Sequence, residues 1–195
     1  MSIPTQFNPL GTLGAVRVLR TATVFSSNIR GVEATGVTMA QSQHFRTVLD
    51  FSIIQFPSAD LTAYPKLYSF LGEGDYGRWI AFWHIVERNV YWENNTYRFG
   101  AVSTNLSLGA HTAEVTGRKA TIDGNVIGTT AATVYETGTG DVTPSFLGTG
   151  GFNYFAFNKF DFFVDDELVQ RYLPAKKNGV LGLYETVSKT FCKQS

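Results

Sequence analysis

Short runs of apolar and polar residues, bounded by turn residues, account for most of the chain. Arg46 to Phe56 (RTVLDFSIIQF) is rich in β-branched and aromatic residues, but Val48, Phe51 and Ile53 do not alternate cleanly. This pattern predicts a strand that is buried on both faces or carries a bulge. No long run has the 3.6-residue apolar repeat and the two caps that predict a helix. Many short strands with Gly, Asn and Asp turns therefore predict an all-β sandwich or barrel.

Turn residues divide these runs into hairpins, at Asn94-Asn95, Asp123-Gly124, Asp165-Asp166 and Asn178-Gly179. Asp-Gly between two β-prone runs is a strong hairpin signal, because both residues accept a positive φ. Residues 128–151 are rich in Gly and Thr and depart from this rhythm. A connection of that length is either a loop with a function or contains a strand that the pattern does not resolve.

The first 14 residues, MSIPTQFNPLGTLG, look like an arm that lies outside a β domain of residues 15–195. Prolines at positions 4 and 9 oppose regular pairing with a neighbouring strand. The arm has no charge and carries spaced apolar residues at Ile3, Phe7, Leu10 and Leu13. A solvated tail is normally charged and polar, whereas spaced apolar anchors are suited to a groove on a neighbouring subunit. The alternative is that the arm packs on its own domain.

Charge and length narrow the class of protein. The chain has 195 residues, enough for one domain, with 16 Lys and Arg against 16 Asp and Glu. A balanced charge argues against a nucleic-acid partner, and it lowers resistance to self-association. No run approaches the ~18 apolar residues of a membrane span, and the N-terminus lacks the features of a signal peptide. We therefore expect a protein made in a cytoplasm, with no membrane partner, that assembles with itself.

The closing segment RYLPAKKNGVLGLYETVSKTFCKQS, residues 171–195, has a specific order of strand, proline, basic pair, tight turn and final strand. Because proline donates no hydrogen bond, Pro174 is expected to end its strand, and Asn178-Gly179 supplies the turn. Leu181, Leu183 and Val187 are then expected to face the core. The segment is interpreted as a clasp that returns the C-terminus to the sheet.

This ending resembles the concanavalin A-like, laminin-G-type jelly roll of gut bacteria and their phages. The mid-chain hairpin HTAEVTGRKATIDGNVI and the tripeptide TGV before Arg46 add to the resemblance, which covers residues 15–193. Glu185 stands where that family has Asp, and Cys192 where it has Tyr. The resemblance implies an all-β jelly-roll β-sandwich with a short N-terminal arm.

Few residues point to catalysis or metal binding. Glycosidases of this fold carry paired carboxylates on one strand, and the chain has no E-x-D-x-x-E strand, so we expect no enzyme. The three histidines show no ligand spacing, and His111 is expected to be a half-exposed strand residue. Calcium is common in laminin-G-like domains and would need several oxygen ligands. The loop candidates are Asp75, Asp123 and Asp141, without a D-x-D pattern, so no cofactor is expected.

Aromatic residues give a candidate ligand site. All three tryptophans lie between residues 79 and 92, in what the pattern predicts as neighbouring strands, where core packing is the ordinary role of aromatics. A polar turn flanked by Trp and Tyr would also suit a sugar ring, which stacks on the aromatic face while its hydroxyls bond the amides. The candidate glycan site comprises Trp92, Glu93, Asn94, Asn95 and Tyr97.

Two functions follow as expectations. The first is a non-enzymatic phage virion protein, such as a head or tail fibre, a decoration protein or a receptor-binding module. Its partners would be further copies of itself, with a trimer preferred, other virion proteins and a host surface glycan. The second is a carbohydrate-binding domain of a bacterial cell-surface protein or of a glycoside hydrolase.

Overall fold

The computed structural model describes residues 16–19, 29–30, 37–39, 45–56, 66–72, 81–84, 89–93, 98–103, 106–116, 119–129, 140–146 and 154–193. These ranges contain sixteen β-strands and no helix, which confirms the all-β prediction for this part of the chain. Accordingly, no helix able to cross a membrane occurs in the same ranges. The strands are β1 (Arg17–Val18), β2 (Ile29–Arg30), β3 (Val37–Met39), β4 (Phe45–Ile53), β5 (Lys66–Gly72), β6 (Ala81–His84), β7 (Asn89–Glu93), β8 (Arg98–Ser103), β9 (Gly109–Thr116), β10 (Lys119–Ile122), β11 (Asn125–Thr129), β12 (Gly140–Phe146), β13 (Phe155–Val164), β14 (Glu167–Lys177), β15 (Val180–Glu185) and β16 (Thr190–Lys193).

The described strands form two antiparallel sheets. The larger has nine strands in the order β11-β10-β9-β4-β13-β14-β15-β16, and β1 also pairs with β14. The smaller has seven strands in the order β2-β12-β5-β6-β7-β8, and β3 also pairs with β12. β12 lies within the Gly- and Thr-rich region, so the interpretation that this region contains a strand is confirmed.

One face of the larger sheet forms an aromatic core. The largest fully buried side chains are Tyr172, Phe51, Phe155, Phe157, Phe160 and Phe162. On β4 every second residue is buried, namely Thr47, Leu49, Phe51 and Ile53, because successive side chains of a strand point to opposite faces. The prediction that this strand is buried on both faces was therefore wrong.

The irregularity that the sequence suggested for β4 lies on its partner, β13. Phe157 pairs with Phe51 and Lys159 with Asp50, so Asn158 is the extra residue of a bulge. The side-chain amide of Asn158 donates to the Ser52 hydroxyl at 3.3 Å. Because of the bulge, Lys159 instead of Asn158 pairs with Asp50, and the residues after Lys159 continue in this register.

Three predicted turns are confirmed by their backbone angles. Asp123 and Gly124 have φ of 49° and 76°, and Asn178 and Gly179 have 50° and 84°. Asp165 and Asp166 have φ of 49° and 64°. Two central residues with positive φ match the twist of the flanking strands, which is why Asn, Asp and Gly occupy these positions. The Asn94-Asn95 turn lies outside the described residues. β7 ends before it, at Glu93, and β8 begins after it, at Arg98.

The clasp prediction holds for its strands but not for each residue. β14, β15 and β16 are consecutive neighbours, and Leu183 is fully buried. β14 continues through Pro174, contrary to the expected strand end, and the Pro174 carbonyl accepts from Leu19 N–H at 2.8 Å. Pro174 lies between the last β14 residue that pairs with β13, Tyr172, and the first that pairs with β1, Ala175. Proline is tolerated there because neither ladder needs its missing N–H. Val187 is 52% exposed and does not face the core, since it lies in the turn before β16.

Candidate functional site

A row of polar side chains crosses the face of the larger sheet that lies opposite the core, and we call it the polar face. Its members alternate with core residues along each strand: Asp50 lies between Leu49 and Phe51, and Asp161 between Phe160 and Phe162. The polar face comprises Arg46, Asp50, Thr112, Glu114, Lys159, Asp161 and Arg171. The row spans β9, β4, β13 and β14.

The strongest contact of the polar face joins β13 to β14. Arg171 donates from Nε to Oδ1 of Asp161 at 2.6 Å and from Nη2 to Oδ2 at 2.8 Å, so the pair is bidentate. The Asp161 side chain is only 5% exposed. The hydrogen bonds to Asp161 raise the pKa of the Arg171 guanidinium above its ordinary value, although burial opposes this. The guanidinium therefore stays charged, and the carboxylate is shielded from water.

A second set of contacts carries the row from β13 to β9. Lys159 Nζ lies 3.4 Å from Asp161 Oδ2 and 3.1 Å from Asp50 Oδ2. The hydroxyl of Thr112 donates to Asp50 Oδ1 at 2.8 Å. Each carboxylate thus faces a cation or a hydroxyl on the adjacent strand, as expected for favourable cross-strand pairs.

Arg46 forms a separate, looser cluster at the other end of β4. Its guanidinium carbon lies 3.8 Å from the centre of the Phe163 ring, in a cation–π arrangement. Its nitrogens lie 3.9 Å from Glu114 and 3.9 Å from Asp166. Since these carboxylates are 40% and 94% exposed, the two ion pairs contribute little to stability.

A reciprocal contact joins β9 to the Asp123-Gly124 turn, which connects β10 to β11. Asp123 N–H donates to the Thr112 carbonyl at 2.9 Å, and Thr112 N–H donates to Asp123 Oδ1 at 2.9 Å. The other carboxylate oxygen lies 2.7 Å from Nδ1 of His111. The "HT" and "DG" of the sequence motif therefore meet in space, and together they hold the Asp123-Gly124 turn.

Glu185 holds the closing segment from within. Oε1 accepts from Arg171 N–H and Val187 N–H, each at 2.9 Å, and Oε2 accepts from Ser188 N–H at 2.6 Å. Glu185 is only 1% exposed. Burial alone raises the pKa of Glu185, but the hydrogen bonds from Ser188, Arg171 and Val187 offset this, so that its pKa is lowered. A charged carboxylate therefore ties β14 to the turn before β16.

These carboxylates are engaged in structure, which limits what they could do chemically. Asp161 and Asp50 accept from cations or a hydroxyl, and Glu185 accepts from backbone amides. A general acid needs a carboxyl that holds a proton near the working pH, and a nucleophile needs access to substrate. A carboxylate buried under a bidentate arginine meets neither condition. The charged pairs of the polar face thus serve to join neighbouring strands of the sheet.

Replacing Arg171 by methionine is expected to destabilise the protein by about 2–3 kcal/mol, because a buried carboxylate would keep only Lys159 as a cation. This is below the usual cost of breaking a buried pair, since the Arg171 side chain is 38% exposed. The matched control, Arg46→Met on the same face, is expected to cost less than about 1 kcal/mol. Urea unfolding at pH 7 measures both changes, and equal costs would contradict this assignment.

The glycan candidates are only partly described. Trp92 and Glu93 lie in β7, and their side chains, like all of Asn94, Asn95 and Tyr97, lie outside what the structure describes. The backbone register pairs Trp92 with Phe82 of β6 and with Phe99 of β8. The aromatic positions therefore occupy three adjacent strands, β6, β7 and β8. The arm residues Ile3, Phe7, Leu10 and Leu13 also lie outside the described ranges.

The structure corrects the expectation for His111 and shows the contacts of one calcium candidate. The His111 side chain is 6% exposed, so the expectation of a half-exposed residue was wrong. Asp123, one of the calcium candidates, uses both carboxylate oxygens on His111 and Thr112. Among the described residues, no group of three or more His, Cys, Asp or Glu is placed to hold a metal ion. Asp75 and the side chain of Asp141 lie outside those residues.

Sequence reasoning did not find the Asp161–Arg171 pair or the Glu185 contacts. A symmetric hairpin about Asp165-Asp166 would place Gln170 opposite Asp161. A bulge between Phe162 and Phe163 in the ladder shifts this register by one residue and brings Arg171 opposite Asp161. For Glu185 the available signal was an acidic residue within the closing motif, which the resemblance assigned to the fold alone.

No family model, no curated protein and no solved structure matches this chain.

Proposed function

We propose that this chain is a non-enzymatic phage virion protein, a fibre, decoration or receptor-binding module, made in the host cytoplasm. In this proposal residues 15–195 form a jelly-roll β-sandwich, and residues 1–14 attach it to further copies or to other virion proteins. The resemblance of the closing segment to jelly rolls of phages and gut bacteria supports the virion assignment.

The sandwich is supported by the way the two sheets meet. β11, one edge of the larger sheet, lies beside β7 and β8, and β16, the other edge, lies beside β2. β2 and β8 are the end strands of the order β2-β12-β5-β6-β7-β8, so each end strand of one order lies beside an end strand of the other. Covered edges are the way a two-sheet protein avoids pairing with foreign strands. An exposed face or an arm is then left for specific contacts.

The position of β1 is the observation on which the attachment role rests. Arg17 pairs with Lys176 and Val18 with Ala175, and Leu19 N–H donates to Pro174. The chain therefore enters the sheet through a hydrogen-bonded strand, from the end that carries the Asn178-Gly179 turn. A device that attaches a domain to a particle needs such a fixed point, because a flexible joint would not transmit orientation. An uncharged arm joined to this point is suited to dock on a neighbour.

The light-scattering mass of the purified protein tests this proposal. We expect a homo-oligomer at micromolar concentration, with a mass of three chains of 21.5 kDa preferred. Net charge of zero favours this association, because copies do not repel one another. A mass of one chain, unchanged over a tenfold rise in concentration, would contradict the assembly role.

A second candidate is a carbohydrate-binding domain of a bacterial surface protein or glycoside hydrolase. The observation that favours it is the cross-strand alignment of Phe82, Trp92 and Phe99, which places aromatic positions in a row across β6, β7 and β8. A glycan array separates the two functions. Saturable binding by a monomer, lost in Trp92→Ala at unchanged melting temperature, would favour the second candidate.

A further inference from the structure

The His111 ring lies between two groups that only accept hydrogen bonds. Its Nε2 lies 2.8 Å from the backbone carbonyl oxygen of Ser107, and its Nδ1 lies 2.7 Å from Oδ2 of Asp123. A carbonyl oxygen has no proton to give, so Nε2 must carry one. A carboxylate also only accepts, so a second proton must lie between Nδ1 and Oδ2. Both contacts together require two protons on the pair.

Asp123 is the more exposed partner of this contact. The His111 side chain is 6% exposed, whereas that of Asp123 is 42% exposed and its other oxygen accepts from Thr112 N–H. The Phe51 ring of β4 lies 5.7 Å from the imidazole, centre to centre. Because Thr112 N–H and water already donate to the Asp123 carboxylate, the proton shared with His111 is placed on Nδ1.

The other charged groups on the described strands near this pair have partners of their own. Asp50 of β4 accepts from the Thr112 hydroxyl, and Lys159 of β13 lies 3.1 Å from Asp50. These two charges compensate each other on the polar face, whereas His111 lies on the core side of β9. Within the described part of the chain, Asp123 is the carboxylate that contacts the ring.

We propose that His111 and Asp123 form a proton-dependent bridge. This bridge joins three segments of the sheet: the stretch before β9, β9 itself and the Asp123-Gly124 turn. A neutral imidazole has one N–H, so loss of a proton leaves either Ser107 or Asp123 facing a bare nitrogen lone pair. Asp123 keeps its contact because its charge makes the stronger hydrogen bond. The Ser107 contact is therefore the one that opens.

Opening at Ser107 has a consequence for an apolar end of the sheet. Leu106 is 4% exposed and belongs to the core, while Leu108 is 57% exposed. Ile54, 43% exposed, follows the residue of β4 that pairs with Gly109. Releasing the 106–108 segment would expose more apolar surface beside Ile54. The direction follows from the proton count: the bridge has both contacts when the ring holds two protons, and it loses the Ser107 contact when the ring holds one.

Two measurements on the full-length protein test this bridge. The first is a long-range ¹⁵N–¹H spectrum of ¹⁵N-histidine-labelled protein between pH 5 and 9. Where the ring is neutral, we expect its one proton on Nδ1, facing Asp123, both in the natural protein and in the control Asp50→Asn, which removes a neighbouring carboxylate that does not touch the ring. In Asp123→Asn the proton is expected on Nε2 instead, because the asparagine amide can donate to Nδ1. A neutral ring that carries its proton on Nε2 in the natural protein, or on Nδ1 in Asp123→Asn, would overturn the proposal.

The second measurement is amide hydrogen exchange of residues 106–108, corrected for the intrinsic effect of pH. We expect protection to fall severalfold as His111 loses its proton in the natural protein. In His111→Gln protection should be independent of pH, because the side chain does not titrate in this range. A pH-dependent loss that persists in His111→Gln would show that another group controls the segment.

Discussion

Gly182→Val is expected to destabilise the protein by about 2–4 kcal/mol, the largest single effect in the closing segment. A Cβ at this position of β15 would overlap the Cys192 carbonyl oxygen, and it would lie 2.8 Å from Phe191 Cζ and 3.1 Å from Lys193 Cα. Two of these three atoms belong to the backbone of β16 and cannot move without breaking the ladder. The substitution therefore separates β16 from β15, where Gly182 pairs with Lys193.

A matched control separates steric overlap from backbone strain. Gly179 has a φ of +84°, and a Cβ there would meet nothing within 4 Å. Gly179→Ala is therefore expected to cost only about 1–2 kcal/mol, the price of a left-handed residue with a side chain. Urea unfolding measures both variants. If Gly182→Val unfolded at the same urea concentration as Gly179→Ala or later, β16 would not pack on β15 as the structure has it.

Glu185→Gln is expected to destabilise the protein by about 2–3 kcal/mol at pH 7. The carboxylate accepts from three backbone N–H groups, two on Oε1 and one on Oε2. Glutamine replaces one of these oxygens by an NH₂ group, which would face a donor and leave at least one amide unpaired. Because Glu185 is 1% exposed, water does not compensate for the lost acceptor.

The loss of Glu185 is also expected to change the pH dependence of stability. Since the pKa of Glu185 is lowered in the folded state, its charge stabilises the fold above the ordinary carboxyl pKa. That stabilisation disappears as the pH falls from the ordinary value through the lowered one. The stability difference between the natural protein and Glu185→Gln should therefore shrink as the pH falls below about 4.5.

Glu114→Gln is the matched control for this change. It removes the same charge from β9, but the Glu114 side chain is 40% exposed and lies 3.9 Å from Arg46. Its cost at pH 7 is expected to stay within about 0.5 kcal/mol. A Glu185→Gln variant as stable as Glu114→Gln at pH 7 would show that the three amide contacts do not support the closing segment.

Features set by residues adjacent in the sequence were predicted better than features set by contacts between distant segments. The turns at Asp123-Gly124 and Asn178-Gly179 were predictable, because the preference for positive φ resides in the two turn residues themselves. The alternation of β4 was misread because Val48 is apolar but lies on the polar face. Its neighbours Thr47 and Leu49 both face the core.

The contacts that depend on bulges were beyond sequence reasoning. Arg171 meets Asp161 only because the β13–β14 ladder shifts by one residue, and nothing in the hairpin residues announces that shift. Glu185 reaches Val187 and Ser188 because the turn before β16 folds back, with Lys189 at a φ of 58°. The pairing of His111 with Asp123 was not predicted from the sequence, and the two acceptors of the ring became apparent only from the positions of Asp123 and Ser107.

Deleting residues 2–12 tests the central claim, that the arm attaches this domain to its partners, most directly. The full-length and truncated proteins are compared by light scattering at the same micromolar concentration and by thermal unfolding. We expect the full-length protein to be an oligomer and the truncated protein to have the mass of one chain, with melting temperatures within a few degrees. The reason is that the pairing described for β1 and the two sheets involves residues from Arg17 onward. A truncated protein that still assembles, or one that no longer folds, would contradict the attachment role of the arm.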